Sequence, residues 1–290
     1  MLFYESELIK HITLKGLSES TKKNYLRYLR ILSDYYKSDP CTLTISQIKD
    51  FIYEIISVKK YRPKTIQLIF FSIRFFFCNV LNYDHNDFKF YRVKRQFSLP
   101  RVLTTEEVGI LLSIFHVYDY KMITKLAYQT GLRVSEAVNV KIADINKELN
   151  TLTVRDCKGN KDRSIPLPKK LLEELREYWL THKNGVLLFP QITTSRSDFD
   201  RKSTLKTIPV YQIQRAFKRI VEMSGINKKV SFHSLRHSYA TNLLNKGVNI
   251  FLIKEFMGHK TIKSTMIYLH LTSSTFDHSL SLISDLMKDL

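Results

Sequence analysis

Apolar residues recur at helical spacing along most of this 290-residue chain. They turn to alternation in one place, Leu149 to Arg155 and Arg163 to Leu167, on either side of the turn sequence Lys158-Gly159-Asn160-Lys161-Asp162. A 3.6-residue period gives each helix one stripe to bury, and a period of two gives a single β-hairpin. The chain is therefore confined to a mainly α fold with a small β-sheet. With 44% hydrophobic residues it can build real cores, and its length fits one large domain or two ordinary ones.

Before the hairpin, the spacing predicts four helices over 4–14, 19–37, 45–58 and 63–81, with Ser18 and Thr44 as N-caps and Gly16 and Pro40 in the gaps. The most apolar stretch, residues 68–81, is too short to span a bilayer and holds Arg74 at its centre, so it is expected to be a buried helix. Helical periodicity is lost over 83–102. The expected organisation is a helical domain over 1–82, a basic linker over 83–102 and a second domain over 103–290. In that domain Thr104 and Glu107 have capping-box spacing, a helix over 119–130 stops at Gly131, and Arg133 precedes a short helix with Ser135 and Glu136. After the hairpin, helices are expected over 168–182, 208–224, 234–246, 250–257 and 261–270. Residues 191–207 are polar and aperiodic and read as a mobile surface loop. Phe276, Leu280, Leu282, Ile283, Leu286 and Met287 describe an amphipathic tail helix.

Charge narrows the partners. Lys and Arg number 46 against 27 acidic residues, a net +19, with 17 basic and 9 acidic side chains in the first 100 residues and 29 and 18 in the rest. Both parts can therefore touch one polyanion. Lys22, Lys23, Arg27 and Arg30 lie on or near one face of the second helix, Lys59, Lys60, Arg62 and Lys64 crowd the start of the fourth, and Lys89, Arg92, Lys94, Arg95 and Arg101 punctuate the linker. A solvated helix face or an acidic lipid surface would also use such runs. Two basic faces joined by a basic linker favour double-stranded DNA. Cys41, Cys78 and Cys157 have neither the spacing nor the number of a disulfide framework or thiolate zinc site, which fits a reducing, cytoplasmic setting. The first ten residues carry Glu5 and Glu7 and do not read as a signal peptide, and no membrane association is expected.

The polar residues Arg133, Lys158, His233, Arg236, His259 and Tyr268 supply, in order, what phosphodiester cleavage without water requires: cations over the phosphate oxygens, an acid for the leaving hydroxyl, and a nucleophile. Taken singly, each has a plain alternative. Lys161 rivals Lys158, and Tyr211 and Tyr239 rival Tyr268. His233 and His237, four apart, have metal-ligand spacing, but no Glu follows the first and no third ligand has fitting spacing, so no metal is expected.

The strings TGLRVSE (130–136), CKGNKDR (157–163), HSLRHSYAT (233–241) and MGHKTIKSTMIY (257–268) resemble the tyrosine recombinases, the family of phage integrases and Xer-type resolvases, and the likeness spans nearly the whole chain. It implies an N-terminal SAM-like, core-binding domain and a tyrosine recombinase catalytic domain that close as a C-shaped clamp on DNA. It assigns Tyr268 as the nucleophile of a 3′-phosphotyrosyl intermediate, Arg133 and Arg236 as the phosphate clamp, and Lys158 as the acid for the 5′ oxygen. His233 would contact the phosphate or help take the tyrosine proton, His259 would donate to a non-bridging oxygen, and Glu136 would orient Arg133. It also implies a homotetramer on paired sites, with or without a paralogous recombinase, strand exchange through a Holliday junction, and no cofactor. The tail helix would dock on the next protomer or on its own domain. A type IB topoisomerase and an inactive DNA-binding protein on the same scaffold are the alternatives. The helical N-terminal bundle and the HSLRH string favour the recombinase.

Overall fold

The computed structural model describes residues 3–92, 99–155, 162–191 and 198–271, apart from the side chains of Phe3 and residues 198–200. The chain divides into two compact units, Met1–Phe97 and Ser98–Leu290.

In the first unit the expected helices form as α1 (Phe3–Leu14), α2 (Glu19–Tyr36), α3 (Ile45–Ser57) and α4 (Pro63–Asn79). Ser18 accepts from the Thr21 amide, and Thr44 and Gln47 cap α3 reciprocally, a device that adds about 1 kcal/mol to a helix start. The apolar stripes meet in one core: Tyr4 and Leu8 from α1, Leu29 and Leu32 from α2, Phe51 and Ile55 from α3, and Ile69, Phe70, Ile73, Phe76 and Phe77 from α4. Arg74 survives in the most apolar helix because its guanidinium lies over the Phe71 ring, 5.1 Å from the centroid. The stretch expected to be linker is packed at its start. Asp84 caps a short 3-10 turn, His85–Phe88, that buries Phe88, and the Phe90 and Tyr91 rings lie 5.7 and 4.9 Å from that of Phe70. One helical turn is too short to show a period, which is why the sequence reads as linker there.

The basic face of α2 is divided by local pairing. Lys22 is bound to Glu19 at 2.6 Å and Arg30 donates to the buried carboxylate of Glu5 at 2.7 Å, whereas Lys23 and Arg27 are exposed beside a shallow depression. Arg62, Lys64 and Arg92 are exposed, and Lys94 and Arg95 lie outside the described residues.

The second unit opens with α5 (Thr105–Ile114), capped by the Thr104/Glu107 box, then α6 (Tyr118–Thr130) and α7 (Val134–Val138). A three-stranded antiparallel sheet follows: β1 (Ile145–Asn146), β2 (Thr151–Val154) and β3 (Arg163–Pro166), in that order, with Leu152 opposite Ile165 and Val154 opposite Arg163. The hairpin is as expected. The two-residue β1 has no period to read and is found only in space. Next come α8 (Lys169–Leu180), α9 (Asp198–Ser203), α10 (Val210–Met223), α11 (Phe232–Asn245), α12 (Ile250–Met257) and α13 (Lys263–Met266), followed by a 3-10 turn, Ile267–Leu271. Leu111, Ile123, Leu126, Leu152, Ile165, Phe189, Phe217 and Leu235 meet in a core shared by the helices and the sheet. α11 packs along α6, which sets where the polar residues at its start will stand.

Residues 191–207 are a correction. The described part is anchored, because α9 places Arg201 against Asp119, which also accepts from the Tyr178 hydroxyl at 2.5 Å. Asn184 donates to the carbonyls of Arg201 and Thr204 at 2.9 Å each, and the Gln191 amide donates to the Lys206 carbonyl at 2.8 Å. A polar run is legible as loop, but long-range side-chain bonds that tie it down leave no local period. Residues 156–161, with Lys158, Lys161 and Cys157, and residues 272–290, with the amphipathic tail, lie outside the described residues. Among the described residues no helix is long and apolar enough to cross a membrane.

Candidate active site

The site begins at the end of α6. Gly131 ends that helix in the left-handed region, φ +66°, and a Cβ there would come within 2.4 Å of the Tyr239 ring, so both conformation and space demand glycine. Its carbonyl accepts from Arg236 Nη1 at 2.6 Å. Two residues on, Arg133 starts α7. Its backbone amide donates to Glu136 Oε2 and its Nη1 to Glu136 Oε1, both at 2.8 Å, so a carboxylate one turn along fixes the guanidinium.

Glu136 is shared. Arg163, at the start of β3, donates from Nη2 to Oε2 at 2.8 Å and from Nη1 to Oε1 at 3.2 Å, and its Nε donates to the Phe256 carbonyl at 2.8 Å. Burial raises the pKa of this carboxyl, but the Arg163 hydrogen bonds and charge, joined by those of Arg133, outweigh it and hold the pKa at about 2. Arg236 Nη1 stands 4.0 Å from the same carboxylate, and its Nη2 donates to the Met257 carbonyl. With only 2% of its side chain exposed, Arg236 is the most deeply held of these cations. Burial first, then the charge of Arg133, lower its pKa to about 10, and it stays protonated at neutral pH.

α11 carries His233, Arg236 and His237 within its first turns. α12 ends at Gly258, again left-handed, φ +59°, where a Cβ would press on the Arg163 guanidinium at 2.9 Å. His259 follows immediately, with Nδ1 2.9 Å from Thr265 Oγ1, a contact that leaves Nε2 for another partner. The 3-10 turn then brings in Tyr268, 2% exposed, whose hydroxyl is 3.0 Å from His237 Nδ1 and whose ring stacks near that of His259, with 6.3 Å between centroids. Burial pushes the phenol up to about 12, against the pull of Arg236 and Arg133. Burial also pushes the histidines towards neutrality, His237 to about 4 and His259 to about 3, helped by the surrounding cations, and lowers His233 in the same sense.

Five of the six sequence-predicted residues, Arg133, His233, Arg236, His259 and Tyr268, thus converge from separate segments, with Glu136 beside Arg133 as expected. The sixth, Lys158, lies in the hairpin turn outside the described residues. The His233 and His237 rings are perpendicular, 4.7 Å between centroids, and no group of three metal-ligating side chains occurs among the described residues. The arrangement gathers guanidinium and imidazole groups near one buried phenolic hydroxyl, whose pKa feels the charges of Arg236 and Arg133.

Residues 101–275 match the Phage integrase family, and residues 6–87 match the N-terminal SAM-like domain of phage integrases. The chain is a tyrosine recombinase of the phage integrase family. It is 33% identical over 270 residues to the tyrosine recombinase XerA of Pyrococcus horikoshii, covering 92% of this chain and 88% of that protein. Its fold is similar to that of the Tn1549 transposon integrase solved with transposon right end DNA, at a TM-score of 0.73 and 19% identity, covering 99% of this chain and all of that one. The lambda integrase tetramer bound to a Holliday junction also shares the fold, at a TM-score of 0.71 and 19% identity over 89% of this chain and 76% of that one. This recombinase is accordingly a DNA breaking and rejoining enzyme.

Two residues of this candidate site were not singled out for it from the sequence. Arg163 shares the inward face of β3 with the buried Ile165, and a charge on the inward phase of a strand needs a partner, a signal that was legible. His237 stands out in the sequence only for its spacing from His233. Its approach to Tyr268, 31 residues away, has no sequence signal.

Proposed function

We propose that this recombinase is site-specific. Tyr268 attacks the scissile phosphate to give a 3′-phosphotyrosyl intermediate, and strands are exchanged through a Holliday junction by a homotetramer on two DNA sites. The observation that carries the reading is the gathering of Arg133, Arg236 and His259 close to Tyr268, whose phenol feels both guanidinium charges and whose ring stacks near that of His259. The pentavalent transition state bears more charge than the ground state, and planar guanidinium groups can hold two phosphate oxygens at once. Arg133 and Arg236 take the non-bridging oxygens, with Arg133 held in place by Glu136. His259 Nε2 donates to a non-bridging oxygen, and His233, at the exposed start of α11, contacts the phosphate. Lys158 protonates the leaving 5′ oxygen, a role that rests on its place before the turn glycine. The energy of the broken bond is kept in the tyrosyl ester, so rejoining needs no nucleotide cofactor. Lys22, Lys23, Arg27, Arg30, Arg62, Lys64, Arg92, Lys94 and Arg95 grip the duplex backbone, with Lys23 and Arg27 the most available on α2. The likeness to the lambda integrase tetramer supports the assembly.

The test uses a duplex selected on the protein from a random-sequence pool and nicked beside the cleavage point, so that the cut fragment diffuses away. The wild-type chain should become covalently attached, and Tyr268→Phe should bind the duplex equally well without forming the adduct. Adduct in that variant would show that another tyrosine is the nucleophile. Relaxation of supercoiled DNA with no site preference would replace the reading with a type IB topoisomerase. Lys158→Ala should slow cleavage of a normal strand far more than cleavage of one with sulfur at the 5′ bridging position, because the thiolate leaves without protonation. Equal slowing would remove Lys158 from the acid role.

A further inference from the structure

We infer that His237 is a catalytic residue of this site, the group that accepts the phenolic proton of Tyr268 as the tyrosine attacks phosphorus. The inference rests on Tyr268 being the nucleophile. Among the described residues, His237 Nδ1 is the hydrogen-bond partner of the Tyr268 hydroxyl, at 3.0 Å, and the two rings lie 5.7 Å apart between centroids. The other histidines are engaged differently. His259 turns Nδ1 to Thr265, and its ring lies stacked with Tyr268 rather than edge-on to the hydroxyl. His233 packs its ring against that of His237. His237 therefore stands between Tyr268 on one side and His233 on the other. It follows Arg236 directly on α11, which fixes the base next to the guanidinium that holds the phosphate.

With the ring proton on Nε2, Nδ1 accepts from the phenol. In the attack the Oη–H bond breaks, its proton passes to Nδ1, the Oη–P bond forms and the P–O5′ bond breaks, the leaving oxygen taking its proton from the acid. The reverse transfer restores the phenol on rejoining, so one residue serves both directions. Among the described residues, the charged or titratable groups against His237 are Tyr268, whose phenol is neutral at pH 7, and Arg236, His233 and His259, which disfavour a second proton on the imidazole. Together with burial they keep it neutral at pH 7, free to accept. The imidazole is a far weaker base than the phenolate, so the proton moves only as the oxygen becomes an ester, when its basicity collapses, and the arriving phosphate anion offsets the new imidazolium charge.

The experiment measures single-turnover covalent attachment to the selected, nicked duplex, with affinity and melting temperature recorded for each variant. His237→Ala should slow attachment by about 10²-fold at pH 7, the low end for a positioned proton acceptor, with affinity within twofold. His237→Asn sets an amide oxygen near the Nδ1 position, which can hold the hydroxyl but cannot take its proton. It should be slowed similarly, and both variants should gain rate as pH rises while the wild type changes less. His237→Asn within tenfold of wild type would reduce His237 to a positioning contact and overturn the inference. Equal or faster attachment by His237→Ala would overturn it too, making the contact a latch on the tyrosine. If His237→Ala does not fold, the more conservative His237→Asn decides alone. No adduct from the wild-type chain, or adduct from Tyr268→Phe, would instead sink the nucleophile assignment, so the two failures are distinct.

Discussion

Glu136 shows how much of this site is decided by single side chains. Only 13% of its side chain is exposed, and it is held by Arg133 on one side and Arg163 on the other. Removing Arg163 strips its guanidinium hydrogen bonds from Glu136 and the Phe256 carbonyl and leaves the carboxylate to Arg133, at a cost of about 3 kcal/mol, the low end for a broken buried pair because one counterion stays. Arg163→Met should destabilise by about that amount in urea unfolding. The double variant Arg163→Met/Glu136→Gln should be less unstable than the sum of the singles, because the two changes remove the same interaction. The pH dependence has a definite sign. The folded pKa of about 2 lies below the ordinary 4.5, so the carboxylate's contribution is complete above about pH 4.5 and disappears as pH falls towards 2. His237 and His259 act in an earlier window. They are neutral in the fold down to about pH 4 and 3 but take up protons near pH 6.5 when unfolded, so the unfolded chain gains as pH falls below 6.5. Melting temperature should therefore start to drop below about pH 6.5, and His237→Asn should drop less. An unchanged pH profile in His237→Asn would show that this histidine titrates normally.

At the level of elements, the helix ends are the working parts. Gly131 ends α6 so that its carbonyl can take Arg236, and Gly258 ends α12 so that His259 turns in past Arg163. Gly131→Ala must adopt a positive φ and place a methyl group 2.4 Å from the Tyr239 ring. It should destabilise by more than the roughly 1 kcal/mol of the backbone term alone, and cleavage should fall with it, since Arg236 loses its anchor. Gly225→Ala, whose methyl group would meet nothing within 4 Å, is the control and should show only the backbone cost in the same melts. These elements also show what a sequence discloses. The stripes of α2 to α4, the caps at Ser18, Thr44 and Thr104, the stop at Gly131 and the β2–β3 hairpin were all legible, because each is written within a few residues. Arg133, His233, Arg236, His259 and Tyr268 were singled out through family strings, and the fold brings these five near one another. The pinning of α9 by Asp119, the shared carboxylate of Glu136 and the contact of His237 with Tyr268 were not legible, because each joins residues that are distant along the chain and carry no period.

Across the whole molecule, the +19 charge predicts behaviour that belongs to no one contact. Affinity for the duplex should fall steeply with salt, log K against log salt having a slope of about −0.9 for each phosphate neutralised. Lys23→Ala and Arg27→Ala should each flatten that slope by about one and weaken binding to all sequences alike. Lys22→Ala, whose ammonium is already held by Glu19, should flatten it less. Salt-independent binding in a filter or anisotropy titration would contradict a backbone-gripping surface. The cluster around Glu136 extends the same principle inward. Arg133, Arg163 and Arg236 gather around the carboxylate of Glu136, so three guanidinium groups are held close together by the fold. An anion that binds such a folded cluster, and not the unfolded chain, stabilises the fold by mass action. Sulfate at fixed ionic strength should therefore raise the melting temperature over chloride, and the Tyr268→Phe variant should share that rise in full, because a bound anion would rest on the guanidinium groups and not on the phenol.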